Sequence, residues 1–299
     1  MHKVIIISGP TASGKSSLAI DVAKLFNGEI ISADSMQIYY GMDIGTAKIT
    51  QLEKQGIEHH CIDMIAPDQK YSIAQFQADA RKAISDIVYR GKLPIVVGGS
   101  GLYIQSLVFD YDFSESKKLD FERYDDIETT TIYESLQKID CVSAEKIDPA
   151  NRRRLIQALA IAEQTEKTKS KREAEQEKKL LFDIYPIAIL PERAHLYETI
   201  NMRVDQMLRS GLLAEVEYFN TTYELAEQVK LAIGYKVPLE YLMSGKMTYE
   251  EMVEKTKQDT RKFAKRQMTW IRNQKISYIR CDGNGIDDKL AGIESFLKG

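Results

Sequence analysis

Residues 9–16, Gly9-Pro10-Thr11-Ala12-Ser13-Gly14-Lys15-Ser16, have the spacing G-x-x-x-x-G-K-S. They lie between a β-branched apolar run at 4–8 and a segment of helical periodicity at 16–26. Strand, loop and helix in that order are the context in which such a loop binds polyphosphate. Its backbone N–H groups close around phosphate oxygens, and the helix amino terminus adds the positive end of its dipole. Lys15 supplies a point charge to the phosphates, and the Ser16 hydroxyl suits a Mg²⁺ ligand. The loop leaves open which bond its bound phosphate helps to break.

P-loop hydrolases usually carry an acid at the end of a neighbouring strand to help hold Mg²⁺. Here the best candidate strand, residues 94–97, runs instead into Gly98-Gly99-Ser100-Gly101. An aspartate does appear elsewhere, Asp34 in Ser32-Ala33-Asp34-Ser35-Met36-Gln37, just past a short apolar run at 29–33. Strands of a parallel sheet open their carboxyl ends on one crevice. Asp34 can therefore face the phosphate loop and accept a proton from an attacking nucleophile. Position alone equally allows it to be the N-cap of the segment that follows.

The elements that must hold these groups follow an α/β rhythm. Strand-like runs at 4–8, 29–33 and 93–97, a further element at 57–65 and an amphipathic helix over 71–90 ended by Gly91 predict a parallel sheet covered on both faces. Between 111 and 182 the rhythm gives way to charged, helix-prone sequence, read as a helical insertion. One apolar strand at 184–190 then returns, followed by long amphipathic helices to Arg272 with connections near Gly211 and Gly234. The expected fold is α/β, a P-loop NTPase-like parallel sheet flanked by helices. Its core is discontinuous, 1–110 with 183–299, and 111–182 forms a mostly helical insertion domain.

Composition narrows the classes. With 299 residues, 43% hydrophobic and 28% charged, the chain reads as a globular protein. No apolar run approaches the roughly 20 residues needed to span a bilayer, and no signal peptide precedes the first strand, so a cytoplasmic location without membrane contact is expected. Cys61, Cys141 and Cys281 are too far apart for a disulfide framework or a paired zinc motif and read as free thiols. The net charge of −3 argues against indiscriminate coating of nucleic acid. Yet nine basic residues against one acid between Lys255 and Arg280, and smaller clusters at 151–154 and 167–172, offer local polyanion sites. Solvated helix faces are the plainer account of each cluster, and also of the charge-rich run at 166–179.

Several separated motifs occur in one order: GPTASGKS, DSMQIYYGMDIGTAK, His59-His60 followed by Ile62-Asp63, VVGGSGLY and TRKFAKRQMTWIR. Together they resemble the tRNA dimethylallyltransferase family, also called tRNA isopentenyltransferases, from residue 4 to about 273 and most weakly between 111 and 180. The absence of a carboxyl-terminal zinc finger before Gly299 is similar to the family's bacterial form. The resemblance implies transfer of a dimethylallyl group from dimethylallyl diphosphate to N6 of adenosine 37 in tRNAs reading codons that begin with U, giving N6-dimethylallyladenosine and diphosphate. It makes this a P-loop that carries the ATP-binding motif but holds a prenyl diphosphate.

On that resemblance Lys15, the loop Gly9 to Ser16, Mg²⁺ at Ser16 and Arg203 of the IxxRVDxM pattern stabilise the departing diphosphate. Asp34 orients the adenine amine and takes its proton. The flipped-out adenine is expected against Asp34, Ser35, Met36 and Gln37, with Ser100 where many relatives carry threonine. Arg123 in the insertion, Arg153 to Gln157, and Ile233 to Lys236, including Gly234 and Lys236, are RNA-contact candidates. The partners implied are the tRNA anticodon stem-loop and the prenyl donor, with the chain acting as a monomer. The insertion departs from the family pattern at 163–167, where relatives often have a glycine-containing turn.

Two other classes compete. A small-molecule kinase would bind ATP on the same loop and use Asp34 on an acceptor hydroxyl, a topology that fold alone cannot distinguish. An RNA-binding GTPase-like switch would need a guanine-specifying motif and a strand-end acid, and neither is evident. His59-His60-Cys61 has no second Cys/His group at finger spacing and reads as a structural turn. Trp270 and Tyr278 read as packing residues.

Overall fold

A computed structural model describes residues 1–111, 113, 119–166, 168–171, 179–274, 276–282 and 286–299. It contains two compact units, Met1–Val108 with Leu181–Gly299, and Phe109–Leu180. Lys167 and Arg172 of the basic cluster at 167–172, and 172–178 of the charged run at 166–179, lie outside the described residues.

In the first unit, β1 (Lys3–Ser8), β2 (Gly28–Ser32), β3 (His59–His60), β4 (Leu93–Gly98), β5 (Asp183–Ile189) and β6 (Ile279–Cys281) form one sheet, ordered β3-β2-β4-β1-β5-β6. Every pairing is parallel. Sheets of this kind are buried on both faces, so their strands are continuous apolar runs; Val4 to Ile7 and Ile95 and Val96 are all fully buried. The helix α1 (Lys15–Leu25) packs Leu18, Ala19, Val22 and Ala23 against Ile5, Ile7, Ile95 and Ile187.

Further along this unit lie α2 (Gln51–Lys54), α3 (Ile73–Tyr89) and α4 (Gly101–Val108). Capping boxes at Thr50/Glu53 and Ser72/Gln75 start the first two. The second unit holds a 3₁₀ turn at Glu122–Tyr124, then α5 (Thr129–Ile139), α6 (Cys141–Lys146) and α7 (Arg152–Gln164). Its own core is built on Tyr124, Ile132, Leu136, Leu155 and Leu159.

The first unit resumes with α8 (Arg193–Arg209), α9 (Leu212–Thr222), α10 (Glu227–Lys230), α11 (Lys236–Ser244), α12 (Tyr249–Arg272) and α13 (Ile286–Lys298). Two of these reach back to the phosphate loop, for Ala12 packs with Leu196 and Ile200 of α8 and with Ala264 and Met268 of α12. The edge strand β6 and helix α13 follow the last helix expected from the sequence, which ends at Arg272. They complete the sheet beyond β5 and cover it with Ile293.

Candidate active site

The phosphate loop is shaped by backbone geometry. Ala12 (φ 64°) and Gly14 (φ 83°) both adopt left-handed conformations, which turn consecutive N–H groups inward to form an anion-binding concavity. Alanine rarely adopts such a conformation, and here Ala12 is held by its packing between α8 and α12. The Lys15 ammonium donates to Pro10 O at 3.2 Å and so arches over the loop. Burial, partly offset by Asp34 and reinforced by Arg203, brings Lys15 down to about 8.

Asp34 does not stand on the strand next to the loop, because β4 lies between β1 and β2. The gap is bridged by the glycine end of β4. A Cβ on Gly98 would stand 2.2 Å from Ala33 O, so only glycine lets the chain leaving β2 close over β4. Ala33 N–H donates to Val97 O at 2.7 Å, and Ser100 N–H to Ala33 O at 3.3 Å. The missing strand-end acid thus has a physical counterpart: that position is used for backbone contact. The N-cap alternative for Asp34 is corrected in form, since no helix follows. Its Oδ1 accepts the Met36 N–H at 2.9 Å in a local turn.

Two cavities meet in front of these strands. A small one, about 60 Å³, is bordered by Ser16, Ser32, Gln37, His59 and Gly98. The other, about 290 Å³, has an apolar wall of Val204, Met207, Leu231, Ile233 and Phe263, and a polar rim of Ser35, Ser100 and Gln267. Thr11, Lys15, Asp34, Thr46, Ala47 and Arg203 line both. Arg203 descends from α8; burial lowers its guanidinium pKa and the charge of Glu53 raises it again.

The structure thus brings Lys15, Asp34 and Arg203 together, with Ser35, Met36, Ser100 and Gly234 along the larger cavity and Gln37 beside the smaller one. Lys236 lines neither cavity and is exposed. In the second unit Arg153 and Gln157 are exposed on α7. Arg123 packs over the Tyr124 ring and pairs with Glu163 at 3.5 Å. Within the cluster at 151–154, Arg152 is committed internally, donating to Tyr124 O at 2.7 Å and Asp125 O at 2.8 Å. Leu155 is wholly buried and leaves the contact candidates.

Several residues at or near the cavities carry no local sequence signal for their place there. Gln267 is buried; its Oε1 accepts the Thr11 N–H at 2.8 Å and its Nε2 donates to Gly99 O at 3.1 Å. Its place in TRKFAKRQMTWIR was visible, but its partners are far away in sequence. His59 borders the smaller cavity and donates through Nδ1 to Ile57 O at 2.8 Å, with burial lowering its pKa. Its neighbour His60 bonds Glu29 at 2.7 Å instead. Lys48, in GTAK, is buried and donates to Tyr39 O at 2.8 Å and Asp63 at 2.5 Å, tying the 39–48 segment to residue 63. The Trp270 ring lies against Gly101.

On a parallel α/β core, then, a P-loop stands at the edge of an apolar cavity and is faced by a carboxylate and an arginine. The IPP transferase family model matches residues 37–274. The tRNA dimethylallyltransferase of Anoxybacillus flavithermus is 47% identical over 275 residues, 91% of this chain and 88% of that protein. That of Oceanobacillus iheyensis is 44% identical over 99% of this chain and 96% of its own. Among solved structures, the tRNA delta(2)-isopentenylpyrophosphate transferase of Staphylococcus epidermidis superposes with TM-score 0.72 at 41% identity, covering 100% of this chain and 99% of that one. A eukaryotic dimethylallyltransferase described as acting on tRNA gives TM-score 0.85 at 33% identity over 99% of this chain and 78% of its own. The chain belongs to the tRNA dimethylallyltransferase family, a family of prenyltransferases. The small-molecule kinase alternative is set aside by these relatives.

Proposed function

We propose that the chain transfers the dimethylallyl group of dimethylallyl diphosphate to N6 of adenosine 37 in tRNAs reading codons that begin with U. The observation that carries the reading is the junction of the two cavities, where Lys15 and Arg203 meet Asp34. In the reaction N6 attacks the allylic carbon, a new C–N bond forms, and the C–O bond to diphosphate breaks with its electron pair leaving on oxygen. The N6 proton passes to the Asp34 carboxylate. The exocyclic amine is a weak base, so a carboxylate within hydrogen-bond reach suits this step. Lys15, Arg203 and the loop N–H groups stabilise the charge that grows on the diphosphate.

The residues present fit a Mg²⁺ ion carried in with the diphosphate. The Ser16 hydroxyl is an exposed hard-oxygen donor in the smaller cavity, and Mg²⁺ in such sites keeps several waters and shares phosphate oxygens. Among the described residues no three acid, histidine or cysteine side chains cluster to hold an ion by themselves. Bound there, the ion would add Lewis-acid stabilisation of the leaving group.

An anticodon-loop adenine must leave its stack to reach a carboxylate inside a cavity. Asp34, Ser35, Met36, Gln37 and Ser100 receive it, and the Gln37 amide offers both donor and acceptor to a base edge. Gly234, Lys236, Arg123, Arg153 and Gln157 contact the RNA around it, and the 111–182 insertion serves as its docking domain. The enzyme acts as a cytoplasmic monomer; among the described residues no helix is long and apolar enough to cross a membrane.

The test is incorporation of radiolabelled dimethylallyl diphosphate into unmodified tRNA bearing A37, comparing wild type with Asp34→Ala and Arg203→Ala. Label in wild type that falls sharply in both folded variants supports the assignment. No label in wild type, with turnover of ATP on small hydroxylated acceptors, refutes it.

A further inference from the structure

Glu215 lines neither cavity, yet it holds a wall common to both. We propose that Glu215 is a positioning residue whose carboxylate fixes backbone 43–45 and so places Thr46 and Ala47 at the junction of the two cavities. The inference rests on the reading of that junction as the place of prenyl transfer.

Three consecutive backbone N–H groups converge on this one side chain. Oε2 accepts from Asp43 at 3.0 Å and from Ile44 at 2.8 Å, and Oε1 accepts from Gly45 at 2.9 Å. The Tyr235 hydroxyl donates to Oε1 as well. Charge-assisted bonds to a ring of N–H groups are strong and directional. They set the loop's orientation as well as its stability.

The loop is backed on a second side. A Cβ on Gly234 would lie 1.8 Å from Gly45 O, so the two backbones are in direct contact. On a third side Asp43 pairs with the buried Lys48 ammonium at 2.8 Å, and Thr46 Oγ1 donates to Met42 O at 2.6 Å. With both ends held, Thr46 and Ala47 are left facing the junction beside Lys15, Asp34 and Arg203. The Thr46 carbonyl also accepts from the Gln37 amide at 3.4 Å. Glu215 therefore reaches the acceptor side through one loop and no substrate contact of its own.

The test uses the full chain with unmodified tRNA and dimethylallyl diphosphate. Glu215→Gln replaces one acceptor oxygen by an NH₂, which confronts at least one loop N–H with a donor. We expect kcat to fall about 10- to 100-fold, the scale of an ångström-sized displacement beside a reacting centre. Pyrophosphate affinity by calorimetry should stay within about threefold of wild type, because the phosphate loop is untouched. A kcat equal to that of wild type overturns the proposal. So does a loss of kcat matched by an equal loss of pyrophosphate affinity, which would report a general structural brace. If the amide variant does not fold, Tyr235→Phe decides: it deletes one bond to the same carboxylate, and kcat unchanged from wild type overturns the clamp. Wild type that transfers no label to tRNA removes the underlying reading, whereas active wild type with an equally active Glu215→Gln removes this inference alone.

Discussion

Gln267 Oε1 accepts the Thr11 N–H at 2.8 Å, across 256 positions of sequence. The bond fastens the entry of the phosphate loop to α12, and the other end of the same amide holds Gly99 O at 3.1 Å. One buried side chain thus locks together the exits of β1 and β4. Gln267→Leu should strand both partners, at about 1–3 kcal/mol for each buried group left without a bond. Chemical denaturation would measure the loss. The KM for dimethylallyl diphosphate should rise by more than that for tRNA.

Asp34 holds a local turn and, in the proposed reaction, takes a proton, and substitution can separate the two. Asp34→Asn keeps the Oδ1 acceptor for the Met36 N–H but removes the proton acceptor. Its kcat should fall about 10²- to 10⁴-fold, the usual range for loss of a general base, with melting temperature close to wild type. Asp34→Ala loses the turn bond too and should melt lower than the asparagine variant.

Gly98→Ala tests the backbone contact that brings Asp34 forward. Its Cβ would lie 2.2 Å from Ala33 O and 2.5 Å from Ala33 C, so β2 or β4 must shift. A cost of about 1–3 kcal/mol is expected for such overpacking. The accompanying fall in kcat should exceed that of Gly91→Ala, whose Cβ meets nothing within 4 Å and whose cost is backbone strain at φ 70°.

In the proposed reaction Lys15 sets a pH limit on donor binding. Burial lowers its pKa from 10.5 to about 8, so the free enzyme loses this charge as pH rises through that value. A diphosphate on the loop favours the charged form and raises the pKa again. Pyrophosphate binding near pH 8.5 should therefore take up a fraction of a proton, visible by calorimetry in buffers of different ionisation enthalpy, and affinity should fall above about pH 8. Lys15→Met should abolish the proton uptake.

Glu29 offers a stability test away from the site. Burial by itself would raise its carboxyl, but hydrogen bonds from Lys92, His60 and Arg90 outweigh burial and bring it to about 2. A pKa lower in the folded than in the unfolded chain gives stability that is present above about 4.5 and lost as pH falls toward 2. Glu29→Gln should flatten that acid limb of a pH series of melting temperatures. At neutral pH it should cost about 1–3 kcal/mol, because the Arg90 and Lys92 cations left behind are partly exposed.

What the sequence determined by itself was local chemistry and local form. The P-loop spacing, the β-branched runs and the 3.6-residue periodicity of 71–90 follow from interactions between near neighbours, and Gly9 to Ser16 and Asp34 stand out without any fold. The resemblance of separated motifs reached Arg203, which no local pattern singles out. Tertiary structure alone decided that β4 separates β1 from β2, so that Asp34 meets Lys15 across a glycine and not from an adjacent strand. It also decided the hydrogen-bond partners of Gln267, Lys48 and Glu215 and the place of His59. Each of these is an unremarkable polar residue on a helix, strand or loop; Gln267 and Glu215 bond backbone groups 168 to 256 positions away, and His59 reaches the smaller cavity only through the sheet. A side chain's propensity is written in its neighbours, but the partners of a buried amide or carboxylate are fixed only when the sheet order brings distant loops to one crevice.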